Sequence, residues 1–251
     1  MRLLLVAAVA LAGLAAGALL RGVIVRRSVP PGEPPRRTCP ACGQQPLPAG
    51  PRLLALPAIT GRCSGCRART GPPPLAVELS TAVLLGALAS RVHPGLVLVA
   101  ACWLAICCVP LGWIDAAVRR LPDVLTAPAY LGTMAALLAA AGLSGHWHDL
   151  VRALLGGIAM SGCYLILTII SPSGMGLGDV KLAASLGSLL AWFGWTVLLA
   201  GAFAGFALAA VYGITLLALR RATRRQQIPF GPFMIAGTFA LILIAAAAGS
   251  P

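Results

Sequence analysis

Two aspartates stand out among the six acidic residues of this 251-residue chain. Asp115 follows the apolar run VLVAACWLAICCVPLGWI, and Asp179 lies in the glycine-rich segment SGMGLGDVKL, where another apolar run begins. Two carboxylates that share one site cannot both ionise cheaply, so the pair holds an acid and a base at the same pH. This combination suits peptide hydrolysis by an activated water, in which one carboxyl accepts a proton and the other donates one.

Asp179 also fits a simpler role. An aspartate at a helix start can accept hydrogen bonds from backbone N–H groups and cap the helix. The neighbouring Gly174, Gly176 and Gly178 are then ordinary loop glycines, whereas in a catalytic site they would let the backbone approach a substrate strand closely. The residues alone leave both interpretations open.

The other four acids are assigned structural roles. We predict that Glu33 is solvated and that Glu78 pairs with a loop arginine. Asp123 follows Pro122 and is expected to cap a helix. Asp149 lies beside His146 and His148, and we interpret this group as a polar turn at the membrane interface.

Four cysteines form a second candidate site, Cys39-Pro-Ala-Cys42 and Cys63-Ser-Gly-Cys66. Two CxxC pairs about 20 residues apart are typical of zinc sites. Each turn directs two thiolates at one point, and two turns complete a closed tetrahedral shell, so the predicted zinc is structural. Two disulfides or free thiols are the alternatives, and disulfides are disfavoured in a reducing cytoplasm.

The elements that must position these groups are membrane helices. The chain is 59% hydrophobic and 10% charged, so a soluble fold would lack the polar residues needed to cover its surface. Eight apolar runs are long enough, or nearly so, to cross a hydrocarbon core of about 30 Å. They cover residues 3–25, 75–91, 95–114, 124–143, 151–171, 182–199, 201–219 and 232–249. We therefore predict an all-α polytopic membrane protein with about eight transmembrane helices and a small zinc-ribbon-like cytoplasmic loop.

The basic residues predict the orientation. The formal net charge is +13, and most of the 19 Lys and Arg residues fall in loops on one side. Cytoplasmic loops are enriched in Lys and Arg, so both termini are expected outside and the 26–74 loop inside. Nucleic-acid binding is disfavoured, because the arginines lie between apolar runs and not on one soluble face.

The N-terminal stretch MRLLLVAAVALAGLAAGALL allows a second interpretation. Its basic start, apolar run and small residues are also typical of a secretory signal peptide. The apolar run extends to about Val25, however, which is long enough to span a bilayer, and arginines follow it. We therefore expect this segment to remain as a first transmembrane helix.

Five ordered motifs resemble the type IV prepilin peptidases, which are membrane aspartic proteases with a Gly-x-Gly-Asp motif. They are TCPACG with GRCSGC, PPPLAVELSTA, WIDAAVRRLPDVLT, GMGLGDVKLAASLG and IPFGPFMIAG. The third and fourth resemble the segments that hold the family's two catalytic aspartates, which fall on Asp115 and Asp179. The resemblance implies three parts: a first transmembrane helix at 1–25, the cytoplasmic four-cysteine loop at 26–74, and a seven-helix membrane peptidase domain at 75–251.

The resemblance also implies an activity and its partners. It implies an intramembrane aspartic endopeptidase of the bacterial inner (cytoplasmic) membrane that removes the leader peptide from type IV prepilins or pseudopilins at the cytoplasmic face. Many family members also methylate the new N-terminus with S-adenosylmethionine, and the cysteine loop accompanies that activity. The implied partners are the prepilin substrate and the lipid bilayer, with no nucleic acid.

Two stretches depart from the family pattern. ALLRGVIVRR replaces a Phe-Leu-Asn-Val-type stretch, and GQQPLPAGPRLLALPAIT, between the cysteine pairs, lacks the family's aromatic and Asn residues. These departures leave the methyltransferase activity open, while the peptidase motifs are intact. The alternative from another functional class is a membrane transporter or assembly protein in which the aspartate pair binds a proton.

Overall fold

A computed structural model describes residues 1–30, 32–39, 41–43, 62–63, 65–171, 175–220 and 228–249. Within these ranges the chain forms eight α-helices and no β-strand. In chain order they are α1 (Arg2–Arg27), α2 (Ala76–Arg91), α3 (Leu96–Val118), α4 (Asp123–Ser144), α5 (Trp147–Ile170), α6 (Leu177–Phe193), α7 (Trp195–Ala218) and α8 (Gly231–Ala247). The all-α prediction is confirmed.

Five helices in the described part of the chain, α1, α3, α4, α5 and α7, are long and apolar enough to cross a membrane. The other three, α2, α6 and α8, have 16 or 17 residues. At 1.5 Å per residue these shorter helices extend about 24–26 Å, slightly less than a hydrocarbon core of about 30 Å. The protein is therefore a multi-pass membrane protein in which long and short helices are combined.

The turn between α6 and α7 lies at Gly194 and not between residues 199 and 201 as predicted. Gly194 has a φ of +139°, a conformation that favours glycine and ends the helix. Gly201 lies inside α7, where an added Cβ would come within 2.7 Å of the Leu190 side chain. The prediction is wrong because one continuous, largely apolar run covers both helices and offers no charged residue to mark the turn.

Glycines allow neighbouring helices to pack backbone against backbone. A Cβ at Gly17 of α1 would lie 2.5 Å from the Cα of Glu78 in α2, and one at Gly237 of α8 would lie 2.6 Å from the backbone nitrogen of Gly205 in α7. Gly157 of α5 approaches α6 in the same way. Close packing of small residues suits a bilayer, because lipid removes the hydrophobic driving force between helices.

A buried ion pair ties α1 to α2. The fully buried Arg21 donates to both carboxylate oxygens of Glu78, at 2.8 and 2.6 Å, and to the carbonyls of Pro72 and Pro73, at 2.8 and 2.9 Å. Such a bidentate, fully hydrogen-bonded pair is the arrangement that a buried charge requires. Glu78 thus pairs with an arginine as predicted, but that arginine lies inside α1 and not in a loop.

Contacts between helix termini gather several elements at one end of the helices. Arg120, between α3 and α4, donates to the carbonyl of Pro30, which follows α1, at 3.2 Å. Lys181 near the start of α6 contacts Asp123 at the start of α4, at 2.7 Å. Since the cysteine pairs lie between α1 and α2, we call this the loop end.

Candidate active site

Asp115 lies in the last turn of α3 and is buried. Its Oδ2 accepts a hydrogen bond of 2.9 Å from the backbone N–H of Gly231, the first residue of α8. A helix N-terminus has unpaired N–H groups and a partial positive charge, so this position stabilises a carboxylate. A Cβ at residue 231 would lie 2.9 Å from the same oxygen, so the close contact depends on glycine.

Asp179 lies in the first turn of α6 and is also buried. Its Oδ2 accepts a hydrogen bond of 3.0 Å from the backbone N–H of Gly176. The capping role is therefore confirmed for this oxygen, although Asp179 is the third residue of the helix and not the residue before it. Its Oδ1 is buried and has no hydrogen-bond partner among the described residues, so one oxygen fixes the helix start and the other remains available.

The fold brings the two aspartates together from distant positions in the sequence. The carboxyl group of Asp115 is close enough to that of Asp179 for their negative charges to repel each other. Gly178, beside Asp179, packs closely on the connection between α3 and α4, where a Cβ on residue 178 would lie 2.8 Å from the Cβ of Leu121.

The glycines before Asp179 make contacts within the protein itself. Gly176 donates to the aspartate, and Gly178 packs on Leu121. Gly174 lies outside the described residues. Their predicted contact with a substrate strand stays a prediction.

The remaining acids have structural contacts. Glu33 is exposed, as predicted. Asp149 contacts Arg152 at 3.0 Å and His148 at 3.7 Å, which agrees with a polar turn. Asp123 was expected to cap α4, but in the described structure its carboxylate makes no capping hydrogen bond and pairs with Lys181 instead.

The four cysteines converge on one point. The Sγ atoms of Cys39, Cys42, Cys63 and Cys66 all lie within 4.8 Å of one another. The distances from Cys39 to Cys66 and from Cys42 to Cys63 are 3.7 Å. A tetrahedral ion with bonds of about 2.3 Å requires edges of about 3.8 Å, so the cluster fits a metal ion. No disulfide joins these four described residues.

Local backbone contacts shape the cysteine cluster. The N–H of Gly43 bonds to the carbonyl of Cys39 at 2.9 Å, and the N–H of Arg67 bonds to that of Cys63 at 3.0 Å. Backbone N–H groups of Cys66 and Gly65 lower the pKa of the Cys63 thiol to about 6. This favours the thiolate, which is the form that binds metal.

Two groups at the aspartate site were not assigned from the sequence. The first is the backbone N–H of Gly231, although the motif IPFGPFMIAG places a Gly-Pro pair at a helix start. The second is Tyr164 of α5, whose ring lies 5.4 Å from Phe206 and 5.8 Å from Phe230. A tyrosine in an otherwise apolar run was the available signal, because a buried phenol requires a polar partner.

Paired buried carboxylates at one end of a multi-pass membrane protein agree with the comparisons to known proteins. Residues 98–220, which contain both aspartates, match the type IV leader peptidase family. The chain is 36% identical over 219 residues to the prepilin leader peptidase/N-methyltransferase of Aeromonas salmonicida (strain A449). Proteins of the same name are 37% identical over 219 residues in Aeromonas hydrophila and 35% over 220 residues in Pseudomonas aeruginosa.

Each of these three matches covers 83% of this chain and 71% of the relative. No solved structure gives a significant match. The chain belongs to the type IV leader peptidase family.

Proposed function

We propose that this protein is an intramembrane aspartic endopeptidase that removes the leader peptide from type IV prepilins or pseudopilins at the cytoplasmic face of the inner membrane. The observation that supports it most is the pairing of Asp115 and Asp179, two buried carboxylates from different helices in one site. The substrate class follows from the relatives, which are prepilin leader peptidases by name.

The proposed reaction uses the aspartates as one unit. The ionised carboxyl takes a proton from a water as that water attacks the scissile carbonyl, and the protonated carboxyl donates to the carbonyl oxygen. The acid and base roles belong to the pair and not to either residue. The N–H groups of Gly231 and Gly176 hold one oxygen of each aspartate, so the carboxyls enter the reaction already oriented.

The position of the pair suits a prepilin substrate. Asp115 and Asp179 lie at the loop end of the helices and not at mid-membrane. Water and a polar leader can reach this level, while the apolar helix that the family resemblance implies after the scissile bond would stay in the bilayer.

We propose a structural zinc ion for Cys39, Cys42, Cys63 and Cys66. Four thiolates would close its coordination shell, so the ion would have no open position for a substrate. It would stabilise a loop that has few apolar residues of its own. The division into a 26–74 loop and a 75–251 peptidase domain stays a prediction.

As a second activity we propose methylation of the new N-terminus with S-adenosylmethionine as the methyl donor. The relatives carry both activities in their names, and the four-cysteine cluster, which the resemblance associates with methylation, is formed here. Mass spectrometry of the processed N-terminus tests this activity, because one methyl group changes the mass by a known amount.

The peptidase function is tested by expressing a candidate prepilin with this protein and observing the leader-size shift on a gel. Asp115→Asn and Asp179→Asn should each abolish the shift while the protein remains in the membrane. Glu33→Gln, at an exposed acid, should leave it unchanged. Cleavage that survives either Asn substitution would contradict the paired mechanism, and the transporter alternative predicts no shift even with the wild type.

A further inference from the structure

Tyr164 is a buried polar side chain for which the mechanism above gives no role. It is 1% exposed, and its hydroxyl has no hydrogen-bond partner among the described residues. Burying a hydroxyl without a partner is unfavourable. Five Ser and Thr hydroxyls are also buried without a partner among the described residues. A short hydroxyl can turn to the carbonyl of the preceding helical turn, however, whereas a phenol on a rigid ring cannot.

The packing of α5 on α6 places Tyr164 beside the first turns of α6. The two helices are antiparallel, with Gly156 opposite Ala191 and Met160 opposite Gly187. Tyr164 lies one helical turn after Met160 in α5. Because the helices are antiparallel, the part of α6 that faces Tyr164 lies one turn before Gly187, in the direction of Asp179. The phenol of Tyr164 is close enough to Asp179 to be affected by the charge of its carboxylate.

Aromatic packing holds the ring of Tyr164 in place. Its centroid lies 5.4 Å from that of Phe206 and 5.8 Å from that of Phe230, and the two Phe rings are 5.0 Å apart. Phe230 directly precedes Gly231, whose N–H binds Asp115. The same cluster therefore adjoins both halves of the site, and packing rather than hydrogen bonding sets the place of the phenol.

Asp179 provides the matching acceptor. Its Oδ2 is occupied by the N–H of Gly176, whereas its Oδ1 is buried and without a described partner. A phenol is a donor, and an ionised carboxylate oxygen is an acceptor. Two complementary polar atoms are thus buried on the packed faces of α5 and α6, and neither is satisfied by the described residues around it.

We propose that Tyr164 is a positioning residue, whose hydroxyl donates to the Oδ1 of Asp179, directly or through one water, when the site is assembled on its substrate. The inference rests on the proposed peptidase function. With this bond formed, both oxygens of Asp179 are oriented, one by Gly176 and one by Tyr164. Tyr164 acts through the aspartate and does not itself exchange a proton with the substrate.

The test is Tyr164→Phe, which keeps the ring and removes only the O–H group. We expect kcat for leader cleavage to fall about 10- to 100-fold, as for loss of a hydrogen bond to a charged group. KM and the thermal unfolding midpoint in detergent should change little, because the contacts with Phe206 and Phe230 remain. Tyr212→Phe is the matched control: the ring of Tyr212 packs against that of Phe233, with centroids 5.2 Å apart, but Tyr212 is 45% exposed, so kcat should stay at the wild-type value.

The possible failures are distinguishable. If the wild type cleaves and Tyr164→Phe has the same kcat, the positioning role is overturned while the peptidase function stands. If kcat falls together with the unfolding midpoint, or if KM alone rises, the hydroxyl has a packing or binding role and the proposal is also overturned. If the wild type cleaves no prepilin, or if Asp115→Asn remains fully active, the proposed function fails and this inference fails with it.

Discussion

The aspartate site and the cysteine cluster lie in the same protein but are held together by different means. Asp115 and Asp179 come from separate helices. Asp115 is fixed by the backbone N–H of Gly231 at the start of α8, and Asp179 by that of Gly176, directly before α6. The four thiols come from two short turns, and each turn is closed by its own backbone hydrogen bond. The first site is a product of helix packing, whereas the second is a product of local sequence.

This difference has a physical consequence. A site made by helix packing is sensitive to small displacements, because one added methyl group at a helix contact moves a carboxylate. A cysteine cluster depends on its four ligands and the ion that they bind, and it tolerates changes elsewhere in the helices. Substitutions in one region should therefore leave the function of the other nearly intact.

Among substitutions that leave both aspartates in place, Gly231→Ala should have the largest effect on cleavage. The added Cβ would lie 2.9 Å from the Oδ2 of Asp115 and 3.3 Å from its Cγ, so the carboxylate must move. A misplacement of this kind costs about 100-fold in activity, while the zinc content should be unchanged. The measurements are kcat/KM for leader cleavage and metal analysis of the purified protein.

The matched control for Gly231→Ala is Gly142→Ala in α4, because a Cβ at Gly142 would meet no atom within 4 Å. This variant should cleave like the wild type. Normal cleavage by Gly231→Ala would show that the α8 terminus does not orient Asp115.

Gly178→Ala should have a smaller effect on the same site. Its Cβ would lie 2.8 Å from the Cβ of Leu121 and 3.4 Å from the Leu121 carbonyl oxygen. The start of α6 must then shift away from the α3–α4 connection, and we expect roughly a tenfold fall in kcat/KM, as for modest overpacking. Gly162→Ala, at an open position of α5, serves as the control. An effect no larger than that of the control would contradict the idea that this close approach assembles the pair.

Cys63→Ser should separate the two regions most clearly. We expect the protein to lose most of its bound zinc, because one thiolate of the closed shell is removed. Leader cleavage should fall only a few-fold, while N-terminal methylation should be lost. Cys163→Ser, at an exposed cysteine of α5, is the matched control and should keep its zinc. A loss of cleavage as complete as that of Asp115→Asn would mean that the two regions are not independent.

The same contrast explains which features could be predicted from the sequence. The spacing of the CxxC pairs predicts a cluster of thiols, and the structure brings them together, because the geometry is contained in two short turns. The apolar runs predict the helices for a similar reason. Both predictions need only neighbouring residues.

Contacts between helices could not be predicted in the same way. The bond from Gly231 to Asp115 and the pairing of Arg21 with Glu78 depend on how each helix is rotated about its axis. A helix that is apolar on all sides has no polar face to set that rotation. The motifs therefore indicate that Asp115 and Asp179 belong together, but the groups that orient them come only from the packed fold.

Lys181→Met should have the smallest effect, although Lys181 lies only two residues from Asp179. Its ammonium contacts Asp123 at 2.7 Å, but the two side chains are 52% and 69% exposed. Exposed ion pairs contribute about 0–1 kcal/mol, so kcat/KM should fall less than about fivefold. Asp123→Asn should match it, and the double variant should be no worse than either single variant, because all three remove the same contact. A fall comparable to that of Gly231→Ala would show that Lys181 contacts the substrate or the aspartate pair, and would extend the sensitive region from the buried helix contacts to the exposed rim.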